Sequence, residues 1–281
     1  MDVTSLPVRA ASTTQALVLA RGLGTRMRAA DSQAQLTPAQ ARAADAGSKA
    51  MMPIGDRPFL DYVLNAIADA GIRRVGLVVA PMHHALAHNY KVETPPTRIT
   101  IDFVVQGEPQ GTADAVLAAE RWAEGHPFLV MNGDNLYPAD VLRDLATLDE
   151  PGLPGFHRED LVRSSNIPDH RVAAFALIET DDRGYLTGIV EKPSAERFAS
   201  AGANALVSMN VWRFDQAIFQ ACRDVPLSAR GELELPEAVA LAVERGMKLR
   251  VVRAAGAVLD LSSRGDAAVL AERLKDVVVQ L

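Results

Sequence analysis

Two glycines and two arginines near the start of the chain are the first residues whose spacing could do chemistry. Leu17-Val18-Leu19-Ala20 leads into Arg21-Gly22-Leu23-Gly24-Thr25-Arg26-Met27, so an apolar strand opens directly into a basic, glycine-paired turn. Backbone N–H groups at a buried strand end can hold an anion, glycines let the backbone approach it closely, and Arg26 and Arg21 add positive charge. A plain structural turn accounts for Gly22 and Gly24 equally well. A dinucleotide fingerprint does not fit, because Met27 stands where its third glycine belongs. No Gly-Lys-Ser or Gly-Lys-Thr follows at P-loop spacing either. His83, His84 and His88 lack an HExxH arrangement or a defined ligand triad, which favours structural or surface roles over metal binding. Cys222 has no local arrangement that would activate it and reads as a small packing residue.

The turn needs elements to hold it. The first strand spans residues 15–20, and a polar, alanine-rich interval follows at 29–48. There Thr37 as N-cap, Pro38 in the first position and Gly47 as terminator predict a short helix. The interval has too little apolar periodicity for a core element, so it reads as a lid or surface insertion. A helix over 59–70, stopped by Gly71, precedes a strand at 75–80, which is the strand, crossover helix, strand rhythm of a parallel sheet. Further strands are predicted at 99–105 and 128–131 with a helix at 113–122 between them. Strands at 172–179 and 186–190 flank the turn Asp181-Asp182-Arg183-Gly184, and another covers 205–213. Helices at 215–223, 234–245 and 263–275 and a strand at 248–254 complete the pattern. Residues 150–170 read as a long connection within one α/β unit. Open sheets of this kind bind ligands beyond strand carboxyl ends, which gives separated residues a common destination.

A length of 281 residues is enough to bury a core without disulfides or structural metals, and nothing divides the chain into independent domains. The single cysteine, the lack of an 18-residue apolar run and the lack of a signal-like segment in residues 1–14 lead us to expect a reducing cytoplasm and no membrane partner. The formal charge of −6 opposes non-specific attraction to nucleic acid. Aromatic residues make up 5% of the chain against 48% hydrophobic, so the core should be aliphatic, with little material for base-stacking platforms.

Several segments, taken in order, resemble the sugar-1-phosphate nucleotidyltransferases, or nucleoside-diphosphate-sugar pyrophosphorylases. They are the opening Leu19-Ala20-Arg21-Gly22-Leu23-Gly24-Thr25-Arg26-Met27 and Lys49-Ala50-Met51-Met52-Pro53-Ile54. Downstream stand Gln106-Gly107-Glu108-Pro109-Gln110-Gly111-Thr112-Ala113-Asp114-Ala115, Asn132-Gly133-Asp134-Asn135, Glu191-Lys192-Pro193 and Asp260-Leu261-Ser262. The resemblance covers roughly residues 15–270, and the ordered set is far more specific than any one motif. Two features depart from the family: Arg21 occupies a position usually held by alanine, and the interval from Arg26 to Lys49 is longer than usual.

The resemblance implies a three-layer, Rossmann-like α/β fold with a mostly parallel central sheet and a smaller sugar-binding region. It also implies the site. Leu19, Ala20, Gly22, Gly24, Gln106, Gly111 and Thr112 are expected to bind the nucleotide, with Gln106 on the base edge and room for the base at Gly111 and Thr112. Arg26 and Lys49 hold the phosphates. Asp134 and Asp260 offer hard oxygen ligands to Mg²⁺. Glu191 meets sugar hydroxyls and Lys192 the sugar phosphate. Asn210 lies in the sugar-facing stretch Ser208-Met209-Asn210-Val211-Trp212, where the family often has glycine, and it narrows the hexose pocket or supplies a further hydrogen bond. Arg26, Lys49, Asp134 and Lys192 form the expected catalytic set.

The implied partners are a nucleoside triphosphate, with UTP or dTTP favoured by Asn135, and a sugar-1-phosphate, with glucose-1-phosphate as the family default. Homo-oligomerisation is likewise expected from the resemblance. In the expected reaction the sugar phosphate attacks the α-phosphorus directly and pyrophosphate leaves, with no protein nucleophile. Two alternatives are a metal-dependent glycosyltransferase that releases a nucleoside diphosphate, and a non-catalytic nucleotide-sugar sensor.

Overall fold

The computed structural model describes residues 13–22, 24–28, 36–47, 49–202 and 205–281, and for residues 25 and 26 the backbone alone. A ten-stranded sheet runs through the molecule. Its strands are β1 (Gln15–Leu19), β2 (Arg74–Val79), β3 (Thr100–Val105), β4 (Phe128–Asn132), β5 (Gly152–His157), β6 (Leu177–Thr180), β7 (Leu186–Val190), β8 (Leu206–Val207), β9 (Trp212–Phe214) and β10 (Arg250–Ala254). The spatial order is β7-β6-β8-β5-β9-β4-β1-β2-β3, with β10 along the other edge of β5. β3, β2, β1 and β4 form an all-parallel block, and β5, β6 and β10 point the same way. β7, β8 and β9 run against them, so the sheet is mixed but mostly unidirectional.

Alternation along the strands explains the layers. In β1, Ala16 and Val18 enter one apolar cluster and Leu17 the other; in β4, Leu129 and Met131 go one way and Phe128 and Val130 the other. A strand apolar on both faces must be covered on both. Helices Phe59–Asp69, Ala139–Ala146 and Asp266–Leu274 contribute to the first cluster, and Thr112–Leu117, Ile218–Asp224 and Leu235–Glu244 to the second. Trp212 is fully buried there and stacks on Phe214, which makes it a core residue. Among the described residues no helix is long and apolar enough to cross a membrane.

Local sequence signals account for several elements. Thr37 caps helix Pro38–Asp45 in a reciprocal capping box with Gln40, and Gly47 follows its end with φ of 71°. The helix is docked rather than detached: Ala44 is fully buried, and the Gln40 amide donates to the Pro53 carbonyl at 2.9 Å. The rest of the 29–48 interval, residues 29–35 and Ser48, lies outside the described residues.

Four expectations need correction. Residues 150–170 are not a connection, because they contain the central strand β5 and helix Arg158–Ser164. Gly152, Pro154 and Gly155 hide a strand from any propensity reading. Pro154 is tolerated because it lies between the stretches of β5 that pair with β9 and with β8, where no ladder donor is required of it. The strand expected at 172–179 begins only at Leu177, since Pro168 starts a turn of helix at Asp169–Val172. The strand expected at 205–213 is broken into β8 and β9, with Asn210 at φ of 55° between them. The helix expected at 113–122 is two short helices, Thr112–Leu117 and Glu120–Ala123.

Candidate active site

The carboxyl ends of β1, β2 and β4 open onto one cleft. The Ala20 N–H donates to the Val78 carbonyl at 3.1 Å and the Gly133 N–H to the Leu19 carbonyl at 3.0 Å, which fastens the first turn to both neighbouring strand ends. Gly24 has φ of 62°, and a Cβ there would lie 2.5 Å from the Gly47 carbonyl oxygen. The turn can therefore press against the end of helix Pro38–Asp45 only as glycine. Arg26 sits in the helical turn Thr25–Arg28, and its side chain is outside the described part of the structure.

A cavity of about 650 Å³ occupies one side of the cleft. It brings together Leu19, Ala20, Gly22, Gln106, Gly111 and Thr112, the residues expected at the nucleotide, with Gly24 the one left out. Gln106 is buried, and its amide nitrogen donates to the Gly111 carbonyl at 3.0 Å and to Asp114 Oδ2 at 2.6 Å. A carbonyl and an ionised carboxylate only accept, so they fix the amide nitrogen on their side and leave Gln106 Oε1 as an acceptor. Gly111 and Thr112 differ from expectation in detail. At φ of 126°, Gly111 packs so closely on Leu233 that a Cβ would come 2.3 Å from its carbonyl oxygen. The Thr112 hydroxyl accepts the Leu235 N–H at 2.8 Å, at the start of helix Leu235–Glu244. Both residues join the loop to that helix as well as bordering the cavity.

A second cavity of about 360 Å³ adjoins the first, and Gly22, Lys49, Asn132 and Asp134 line both. Where they join, Lys49 Nζ lies 2.9 Å from Asp134 Oδ2, with both side chains partly buried. Gly24, Asn135, Asn210 and Asp260 also border the smaller cavity. Asp260 reaches it through a two-residue ladder in which Asp260 pairs with Asn135, while the Leu261 N–H donates to the Asp134 carbonyl at 2.9 Å. That short ladder is how carboxylates far apart in sequence meet.

Asp260 is buried and heavily engaged. Its Oδ1 accepts from the Asn135 amide and the Ser262 hydroxyl, each at 2.9 Å, and its Oδ2 accepts from Arg171, which also pairs with Asp266 at 3.4 Å. Asn166 exchanges two hydrogen bonds of 2.8 Å with the Asp260 backbone. Among the described residues no group of three or more His, Cys, Asp or Glu side chains could hold a metal alone. Asp134 and Asp260 border one cavity beside the Asn132 and Asn135 amides, and these are oxygen donors of the hard type magnesium takes, which for Asp260 would mean sharing oxygens already bonded to Asn135, Ser262 and Arg171.

Glu191 and Lys192 border neither cavity. They follow β7, both exposed, with Lys192 in a left-handed backbone conformation at φ of 44°. Although the residue as a whole is exposed, partial desolvation of the Glu191 carboxyl and then the charge of Glu234 raise it above the ordinary range, against Lys192 and Arg230. Arg230 in turn pairs with Glu234 at 2.5 Å. Asn210 is left-handed too, a conformation that asparagine tolerates better than most residues, which explains it in a position where glycine is common.

Asp114, Asn166 and Arg171 were not picked out from sequence. Asp114 belongs to the segment 106–115, and its role depends on a helix start that turns it back on Gln106. Asn166 falls in the stretch 150–170 that reads as a connection, and Arg171 between that stretch and the strand expected at 172–179.

Comparison with known proteins agrees with this architecture. The pattern of the nucleotidyl transferase family matches residues 15–260. The chain is 27% identical over 270 residues to the UTP–glucose-1-phosphate uridylyltransferase AglF of Haloferax volcanii, covering 95% of this chain and 98% of that one. It is 29% identical over 240 residues to a glucose-1-phosphate thymidylyltransferase of Streptomyces antibioticus, covering 84% of this chain and 59% of that one. In structure it is similar to a UTP-bound UGPase from Acinetobacter baumannii, with a TM-score of 0.72, 19% identity and 95% of each chain covered. With the strand-end cleft in place and the match running from β1 to Asp260, this chain belongs to the nucleotidyl transferase family, among the sugar-1-phosphate nucleotidyltransferases.

Proposed function

We propose that the protein joins UTP or dTTP to a hexose-1-phosphate, glucose-1-phosphate by default, releasing pyrophosphate and a nucleoside-diphosphate sugar. The observation that carries this reading is the meeting of two cavities at the Lys49–Asp134 pair. A nucleotide in the larger cavity and a sugar phosphate in the smaller would confront each other there. The base assignment draws on Gln106, whose Oε1 has no hydrogen-bond partner among the described residues and would accept an N–H from the bound base. The N3–H of uracil or thymine supplies one, and since cytosine N4–H and adenine N6–H are donors too, Oε1 by itself does not fix the base. The named relatives that use UTP or form thymidylyl products support the same choice.

In this reading an oxygen of the sugar phosphate attacks the α-phosphorus, a new P–O bond forms, and the bond to pyrophosphate breaks. The attacking phosphate is already ionised at neutral pH, so the protein's task is alignment and charge stabilisation. Lys49 and Arg26 hold the triphosphate and neutralise the leaving pyrophosphate, while Lys192 positions the sugar phosphate and Glu191 a sugar hydroxyl. For Lys192 and Glu191 this requires the segment after β7 to approach the cleft. Gly24 and Asn210 shape the sugar side. Asp134 and Asp260 would hold magnesium, which when bound supplies positive charge to the opposed phosphates. Of the described part of the interval 29–48, Ala46 and Gly47 border the larger cavity and would cover the nucleotide there, while helix Pro38–Asp45 stays docked on the core.

The test separates transfer of the nucleotidyl group from transfer of the sugar. With magnesium, UTP and glucose-1-phosphate should release pyrophosphate, and UDP-glucose with pyrophosphate should regenerate UTP. Release of UDP from UDP-glucose in the presence of an acceptor, with no pyrophosphate chemistry, would assign the glycosyltransferase reading instead.

A further inference from the structure

Arg21 is the one charged residue of the first turn that the family pattern leaves unexplained, and its surroundings are unusual. It lines the larger cavity, and its Nη2 donates to the Gly107 carbonyl at 2.7 Å, bridging the first turn to the turn that carries Gln106. Its Nε and Nη1 are enclosed by protein and meet no hydrogen-bond partner among the described residues. The ion pairs among those residues, including Lys49–Asp134 in the same cleft, leave it out. A guanidinium stays charged and carries five N–H donors with no acceptor. Enclosing two of its nitrogens unpartnered is unfavourable, and such orphans in a native structure call for an explanation.

We propose that Arg21 is a nucleotide-binding residue particular to this chain, donating from Nε or Nη1 to an acceptor oxygen of the bound nucleotide while Nη2 holds the Gln106 turn against the first turn. The inference rests on the nucleotide reading of the larger cavity. Nε and Nη1 are enclosed as the residue stands, so donating to the nucleotide requires the guanidinium to swing about its Nη2 contact, or to release it, as the ligand enters. The oxygens that suit a donor-only cation are those of the phosphates and those of the base or ribose. An alanine in this position could make neither contact. Arg21 therefore adds affinity for the nucleotide without entering the sugar-phosphate site.

The experiment measures dissociation constants of UTP and uridine by calorimetry for the parent protein, Arg21→Ala and Arg21→Lys, together with the KM for sugar-1-phosphate. A hydrogen bond from a charged donor corresponds to a loss of about tenfold to a hundredfold in UTP affinity for Arg21→Ala. Arg21→Lys should recover part of it, while the KM for sugar-1-phosphate and the ligand-free melting temperature stay near parent values. A loss confined to UTP assigns the acceptor to the phosphates, and an equal loss for uridine assigns it to the base or ribose. UTP affinity within twofold of the parent in a folded Arg21→Ala protein would overturn the proposal. A parent protein that binds no nucleoside triphosphate would instead defeat the reading of the cavity on which it rests.

Discussion

Lys49 and Asp134 stand where the two cavities join, 2.9 Å apart, so each screens the other until phosphates compete for the lysine. Partly exposed pairs of this kind contribute about 1 kcal/mol or less to stability. Asp134→Asn should therefore shift the melting temperature by no more than about 3 °C, while kcat/KM falls by about a hundredfold or more across a magnesium titration. Normal turnover in that variant would remove Asp134 from the reaction. Asp114 calls for a different measurement, because it acts through Gln106. An asparagine there offers nitrogen as readily as oxygen and no longer fixes which end of the Gln106 amide faces the cavity. Asp114→Asn should lower the UTP-over-CTP preference in kcat/KM about tenfold, with kcat for UTP little changed. An unaltered preference would show that Gln106 needs no such lock. Gln106, Lys49 and Asp134 were legible in the sequence because each belongs to a short ordered motif. Asp114 and Arg171 were not, since their partners are fixed by a helix start in one case and a distant strand end in the other.

Glycines at element boundaries carry the site's shape. At Gly111 the loop backbone lies against Leu233, where a Cβ would come 2.3 Å from the carbonyl oxygen. Gly111→Ala must push the loop away from the Leu233 backbone, just ahead of helix Leu235–Glu244, and we expect a loss of about 2 kcal/mol or more in denaturant unfolding with a raised KM for nucleotide. Asn210 gives a graded comparison on the other side of the cleft. Its left-handed backbone should accept glycine with little change, whereas Asn210→Val should cost about 1–2 kcal/mol. Equal stability of the two variants would show that the break between β8 and β9 does not need that conformation. Elements with local punctuation were readable from sequence: Thr37, Pro38 and Gly47 bracket one helix and Gly71 ends another. β5 was not readable, because Gly152, Pro154 and Gly155 are poor strand formers held in place by pairing on both edges. Tertiary pairing outweighs propensity there.

Across the whole molecule, alternate residues of the parallel strands feed two apolar clusters, one on each sheet face. Cys222 reports on the second. It is fully buried, and burial pushes its thiol up to about 12, so a thiol reagent at pH 8 should label it only through opening of that helical layer. Rapid labelling of native protein would contradict the packing of helix Ile218–Asp224. The fold class was legible because a sheet buried on both faces leaves continuous apolar runs, and the site because its chemistry gathers at strand carboxyl ends. The sequence did not reveal that Asp260 would already be engaged by Arg171 and Asn166, contacts that exist only once the chain between β5 and β6 has folded. In the proposed reaction the larger cavity selects a uracil or thymine nucleotide for transfer to a sugar phosphate in the smaller one. The deciding measurement is pyrophosphate release from UTP, dTTP, GTP, ATP and CTP, each paired with glucose-, galactose- and mannose-1-phosphate in magnesium. The expected result is release from UTP or dTTP with glucose-1-phosphate at a kcat/KM at least about tenfold above ATP and CTP; equal use of ATP or CTP, or no release from any pair by folded protein, would contradict it.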